Sequence, residues 1–165
     1  MLRNVTLQDA EAIKEIYNYY VETSVANLEE HIVDLTYIEN QIETITKDFP
    51  WLVFEDENEI VGFAYASSWK NRSGYNKTAQ VTVYLKNDVT KKGIGSQLYK
   101  QLIDRLEKTD LHVLIGGISL PNEASVRLHE KFGFEKVAHF KQTGFKFNKW
   151  VDVGYWQLII NQNKK

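Results

Sequence analysis

The chain contains no cysteine. That excludes disulfides, thiolate metal sites and a cysteine nucleophile, and it fits a reducing cytoplasm. No apolar run reaches the roughly 18 residues a membrane helix needs, and no charged-then-apolar leader opens the chain. The expectation is a cytoplasmic protein that does not engage a membrane. Charge of one sign is also lacking: 20 Lys and Arg face 22 Asp and Glu, for a net charge of −2. With a pI near 6.1 the composition argues against a general nucleic-acid binder, so no nucleic-acid partner is expected. The four histidines, at 31, 112, 129 and 139, show no ligand spacing, and no metal is expected. Proline is scarce, and there is no repeat, low-complexity segment or Pro/Gly/Ser-rich linker. One domain over residues 1–160, with a frayed tail at 161–165, is the natural expectation.

What remains is an ordinary globular composition: 165 residues, 43% hydrophobic, 13% aromatic and 25% charged. A chain this long can bury roughly 70% of its unfolded surface. Residues 1–5 read as a short strand. Thr6 can cap a helix, with Asp9 at its positive end, and Ala12, Ile13, Ile16, Tyr17 and Tyr20 repeat at helical spacing. A second helix follows Asp34, carries Ile38, Ile42 and Ile45 on one face, and stops before Pro50. "WLVFEDENEIVGFAYASSW" reads as a hairpin with an acidic turn at residues 56–59. "AQVTVYL" alternates Val81, Val83 and Leu85 against Thr82 and Tyr84, the period of a half-buried strand.

From Gly95 a helix presents Ile94, Leu98, Leu102 and Leu106 as a core stripe. "LHVLIGGI" is apolar enough for a central strand covered on both faces. Asn122 can cap a further helix whose buried line is Ala124, Leu128 and Phe132, with Gly133 ending it. "FEKVAHF" and "WVDVGYWQLII" supply two last strands. The order β-α-α-β-β-β-α-β-α-β-β predicts an α/β (α+β) fold: a mixed, mostly antiparallel central sheet flanked by about four helices.

Two stretches invite chemistry. In "DVTKKGIGSQLYKQL" two lysines and two glycines lead into a helix. The amides of residues 92–96 would lie at a helix N-terminus, where an anion is favoured, and glycine would let a phosphate approach the backbone. A structural helix start is the alternative, because Gly-x-Gly is short of both the dinucleotide fingerprint and the Walker loop. The second stretch is a loop in which Lys70, Arg72 and Lys77 stand with no acid among them, either as a site or as solvated surface.

The blocks "AIKEIYNYYVETSVANLEE", "WKNRSGYNKTAQVTVYL", "TKKGIGSQLYKQLI", "GGISLPNEASVRLHEKFGFEKVA" and "GFKFNKWVDVGYWQ" follow one another in a familiar order. Over nearly its whole length the chain resembles the GNAT family of N-acetyltransferases, in the branch with phosphinothricin and methionine sulfoximine acetyltransferases. The resemblance implies acetyl-CoA as cosubstrate and direct acetyl transfer to the amine of a small amino-acid-like acceptor. It places the pyrophosphate on Lys91, Lys92, Gly93, Ile94, Gly95 and Ser96. It places the pantetheine arm along the main chain of Val83, Tyr84 and Leu85, with Asn122 and Ser125 beside it. Thr90 stands where the family pattern has Arg or Gln.

By the same resemblance His129 protonates the departing thiolate; a histidine wedged in the core is the alternative reading. Arg72, with Lys70 and Lys77 as weaker supports, would hold the acceptor's anionic end. Trp69 and Tyr75 would wall the pocket or pack a hairpin edge. Leu28 stands where an aromatic residue is usual above the acceptor. Gln80 replaces the usual glutamate base, and a carboxamide has no usable basicity. Substitute bases are Glu29, His31 and His139. An acyl-CoA-binding sensor without catalysis is therefore the second functional reading. Dimerisation is common in the branch, and Phe140, Phe145, Phe147, Trp150 and Trp156 would bury a homodimer interface or pack the core.

Overall fold

Apolar spacing decides where the elements form, and a computed structural model describes residues 1–89 and 93–161. The strands are β1 (Leu2–Asn4), β2 (Trp51–Asp56), β3 (Glu59–Ser68), β4 (Thr78–Leu85), β5 (Val113–Leu120), β6 (Glu135–Lys146) and β7 (Lys149–Ile159). The helices are α1 (Ala10–Thr23), α2 (Leu35–Ile45), α3 (Ile94–Leu106) and α4 (Glu123–Lys131), with short 3-10 turns at Leu7–Asp9 and Ser73–Tyr75. This is the element order the sequence predicts. The strand order is β1-β2-β3-β4-β5-β7-β6. Pairing is antiparallel in β1–β2, β2–β3, β5–β7 and β6–β7, and parallel in β4–β5.

The chain divides into two compact units. The first comprises Met1–Asn18, Val33–Ser67 and Val81–Thr109. Its core takes Ile13 and Ile16 from α1, Ile38, Ile42 and Ile45 from α2, and the stripe Ile94, Leu98, Leu102 and Leu106 from α3. Asp34 caps α2 by accepting from the Tyr37 amide at 2.8 Å. Asp9 does more than favour a helix start. Its carboxylate takes two hydrogen bonds from Arg3, each 2.8 Å, and two from Thr6, which ties the N-terminal strand to the first turn. Gly62 is required by close approach, since a Cβ there would stand 2.6 Å from Leu85 Cδ2 and 3.1 Å from the Tyr84 carbonyl oxygen.

The second unit comprises Tyr19–Ile32, Ser68–Gln80 and Asp110–Lys165. β5 runs between the first residues of β4 and the long β7, and Leu114, Ile115 and Ile118 are buried. The expected buried line of α4 is corrected here. Ala124 is exposed and Leu128 and Phe132 are half-buried, while His129 is the buried residue of the helix. The reason lies opposite, on β5, where Gly116 has no side chain and leaves room for the imidazole.

Among the C-terminal aromatics, Trp156 is a core residue, whereas Phe140, Phe145, Phe147 and Trp150 stay substantially exposed. Among the described residues no helix is long and apolar enough to cross a membrane.

Candidate active site

In the first unit, α3 begins one residue after Gly93, which occupies the left-handed region at φ 67°, ψ 15°. A Cβ at Gly93 would meet nothing within 4 Å, so glycine is needed for the backbone conformation rather than for space. Ile94 and Gly95 are buried and anchor the helix start, while Ser96 is half-buried. No acidic side chain occupies the first turn of α3, so nothing of the helix's own competes with an anion there. Lys91 and Lys92, expected at this turn, and Thr90 before them lie outside the described residues.

β4 leads toward that turn. Its parallel register with β5 covers only Thr78↔Val113, Ala79↔Leu114 and Gln80↔Ile115, although each strand is eight residues long. Val83, Tyr84 and Leu85 come after the last pair. The Tyr84 ring meets Tyr17 edge-on at 5.8 Å and Phe63 at 5.5 Å. Tyr65 stacks on Trp51 at 4.3 Å and shares a side-chain hydrogen bond with Thr82. Burial pushes the Tyr65 phenol up to about 12, and the hydrogen bond with Thr82 opposes that only in part.

In the second unit, three residues predicted for the site form one connected series. Asn122 Oδ1 accepts from the Ser125 amide at 3.1 Å, which caps α4. One turn on, the Ser125 carbonyl lies 2.8 Å from His129 Nδ1. That bond assigns the proton of a neutral ring to Nδ1 and the lone pair to Nε2. Burial holds the His129 pKa below its ordinary value of 6.5, with the Ser125 bond opposing it. The ring meets Phe134 edge-on at 5.2 Å and lies against Gly116.

Gln80 is half-buried at the last β4–β5 pair, and its side chain makes no hydrogen bond to the described residues. In the basic loop, Trp69 meets Tyr75 edge-on at 5.2 Å and Lys70 Nζ stands 4.8 Å over the Trp69 ring. Lys77 is ion-paired with Asp110. Arg72 is exposed and has no ion pair among the described residues, so it keeps its guanidinium for another partner. Leu28 is brought to β6, where its Cδ1 would stand 2.9 Å from a Cβ on Gly144.

The proposed substitute bases differ in setting. Glu29 and His31 are exposed. His139 is held at both ring nitrogens, by Asp152 at 2.8 Å and by Lys136 Nζ at 2.9 Å. A ring with both nitrogens engaged has no lone pair to offer an acceptor amine.

Two residues of this region were not singled out from sequence. Gly116 could have been found from the Gly-Gly pair inside an otherwise apolar strand. Lys146 could have been found from strand alternation, since its neighbours Phe145 and Phe147 face outward.

The sequence pattern of the acetyltransferase (GNAT) domain matches residues 2–154. The chain is 36% identical over 156 residues to the phosphinothricin N-acetyltransferase of Streptomyces viridochromogenes, covering 94% of this chain and 85% of that one. It is 33% identical over 165 residues to the L-methionine sulfoximine/L-methionine sulfone acetyltransferase of Pseudomonas aeruginosa, covering 99% and 96%. The fold superposes on a crystal structure of a GNAT phosphinothricin acetyltransferase from Sinorhizobium meliloti in complex with acetyl-CoA. The TM-score is 0.96 at 31% identity, covering 100% of this chain and 91% of that one.

Proposed function

The chain belongs to the GNAT acetyltransferase family, and from that premise we propose that it transfers acetyl from acetyl-CoA to the amine of a small amino-acid-like acceptor of the phosphinothricin or methionine sulfoximine type. The single observation that carries the donor assignment is the start of α3. A left-handed glycine with open space at its Cβ position precedes a helix whose first turn holds no acid. Backbone amides there suit a pyrophosphate, with Gly93, Ile94, Gly95 and Ser96 as the donors. The resemblance assigns the amide-bearing pantetheine arm to the main chain of Val83, Tyr84 and Leu85, and strand-like main-chain pairing suits such an arm. Asn122 spends its oxygen on the α4 cap and keeps its NH₂ for the same arm, next to Ser125.

Acetyl-CoA supplies an acyl group activated as a thioester. With no cysteine to form the usual thioacyl-enzyme, a ping-pong route is disfavoured and direct transfer is the reading. The acceptor nitrogen forms the new C–N bond as the C–S bond breaks, and amides near Val83 and Tyr84 stabilise the oxyanion. His129 is neutral at pH 7 and carries its lone pair on Nε2, so it starts as a proton acceptor. We assign it the amine's proton, to be returned to the departing thiolate once Nε2, buried against Gly116 in this structure, is opened to the reacting atoms. This assigns to one residue the acid role implied by the family and the base role that Gln80 cannot fill. Arg72 binds the acceptor's anionic end beside Trp69 and Tyr75, and Leu28 bounds the pocket.

The reading extends to a homodimer in the cytoplasm. Its supports are the cysteine-free composition and the exposed aromatics Phe140, Phe145, Phe147 and Trp150 along β6 and β7. The deciding experiment measures thiol release from acetyl-CoA across a panel of amino acids that includes phosphinothricin and methionine sulfoximine, alongside calorimetry with acetyl-CoA. Acceptor-dependent thiol release supports the enzyme. Tight acetyl-CoA binding with no acceptor-dependent release would instead establish a binding module.

A further inference from the structure

Lys146, at the end of β6, is the one buried lysine among the described residues. Its ammonium donates to three main-chain carbonyls: Asn27 at 2.6 Å, Ser24 at 2.8 Å and Tyr20 at 3.3 Å. Three N–H groups meet three acceptors, so the ammonium's donor capacity is filled. No carboxylate lies within ion-pair distance among the described residues, and the Phe147 ring stands 4.9 Å from Nζ.

The carbonyls belong to the end of α1 and the loop after it. The last turn of α1 contains no basic side chain of its own, so a residue 122 positions from Ser24 supplies the positive charge its C-terminus favours. Beyond the helix the chain is folded around Nζ. The Ser24 hydroxyl accepts from the Ala26 amide at 3.0 Å, and Asn27 Oδ1 accepts from the Glu29 amide at 2.8 Å. These turns aim the carbonyls inward at the ammonium. They also carry the Leu28 side chain to β6, where it lies against Gly144.

Burying a cation with no carboxylate in contact, and only the more distant charges of Glu29 and Glu30 to offset its desolvation, is a costly way to end a helix, because a surface lysine or a glycine serves that purpose without desolvation. What the buried cation adds is a fixed path for residues 24–30. We infer that Lys146 is a positioning residue for the acceptor: by gathering the Tyr20, Ser24 and Asn27 carbonyls it sets where Leu28 stands, and with it the shape of the acceptor pocket. The inference rests on the acetyltransferase reading above for the statement that Leu28 bounds that pocket. It assigns Lys146 no contact with either substrate and no share in proton transfer.

The test is Lys146→Met in the full chain, which keeps the length of the side chain and removes its charge and donors. The expected result is a KM for phosphinothricin or methionine sulfoximine raised on the order of 10- to 100-fold, with the KM for acetyl-CoA within about twofold of the parent. An acceptor KM that does not move in a folded variant, or both KM values rising together, overturns the assignment. Should Lys146→Met fail to fold by circular dichroism, Gly144→Ala replaces it. That change leaves the lysine in place and displaces Leu28 alone, and it must reproduce the selective rise in acceptor KM.

If the parent protein acetylates nothing, the acetyltransferase reading fails, and hydrogen exchange still tests the anchor. Amides 24–30 must exchange faster in Lys146→Met while those of α3 keep their protection. Equal protection of residues 24–30 in the two proteins overturns the anchor itself.

Discussion

His129 and Gly116 fit against each other so closely that a Cβ at position 116 would stand 2.2 Å from His129 Nε2 and 2.4 Å from Cδ2. Real Cβ atoms do not approach that near, so either the ring or the strand must move. Gly116→Ala is expected to destabilise the protein by about 1–3 kcal/mol through overpacking. It is also expected to lower kcat more than thermal stability alone explains, because the displaced ring is the proposed proton carrier. Urea melts and kcat measured on the folded variant separate the two effects. A variant with parent-like kcat would remove His129 from the reaction.

The pH dependence tests the same ring from another direction. Desolvation disfavours the imidazolium, with the bond to Ser125 opposing it, so the His129 pKa lies below 6.5. Above pH 6.5 the ring is neutral and ready to accept a proton. Below its own lowered pKa it becomes charged and cannot. The parent is therefore expected to show an acid limb in kcat/KM positioned below pH 6.5, and His129→Gln to lose that limb together with about 10²–10⁴ in rate. An unchanged limb in the variant would assign it to another group. The same shift makes stability fall as pH drops from 6.5 to the folded pKa, since the unfolded chain takes up the proton first.

Gln80 stands on β4 at its last pair with β5, and its carboxamide can orient a water molecule but cannot hold a proton. Gln80→Glu is expected to raise turnover of amino-acid acceptors, within the roughly 10²–10⁴ that general-base help supplies. The gain should be largest below pH 8, where the acceptor amine is mostly protonated. Thiol release under saturating acetyl-CoA measures it. No gain would mean that His129 already suffices as the acceptor of that proton.

Far from this chemistry, Arg3 grips Asp9 with two nitrogens and reaches Glu55 Oε2 with a third, each bond 2.8 Å. Burial by itself would raise the Asp9 carboxyl, but hydrogen bonds from Arg3 and Thr6 outweigh it and hold the pKa below 3.8. A depressed carboxylate stabilises the fold above its unfolded pKa, and the contribution is lost as pH falls through the folded value. Arg3→Met should cost about 1–3 kcal/mol near neutrality by stranding a buried carboxylate. The gap from the parent should narrow in urea melts as pH is lowered toward 3. A gap that stays constant with pH would detach the effect from Asp9.

Local pattern carried much of the structure. Ile94, Leu98, Leu102 and Leu106 repeat every four residues, so their burial follows from helical geometry alone. The alternation of Val81, Val83 and Leu85 made β4 a strand in the same way, and Gly93 marked a helix start whose left-handed backbone favours glycine. Asn122 was legible as a cap because the capping bond closes within four successive residues, Asn122 to Ser125. These signals lie within one or two turns of chain, where spacing and geometry are tied together.

The remainder depended on partners distant in sequence. Whether His129 or Leu128 faces inward turns on Gly116, thirteen positions earlier on another element. Lys77 reads as a candidate for the acceptor's anionic end until Asp110 is found beside it. Lys146 reads as one more surface cation in "GFKFNKW" until the chain brings it to Tyr20, Ser24 and Asn27. A charge is interpreted by what neutralises it, and that is decided by which strands and loops meet. The sequence determined the elements, their order and the residue types available for chemistry. The tertiary structure alone decided which of those residues are buried, which are already engaged, and which remain to meet a substrate.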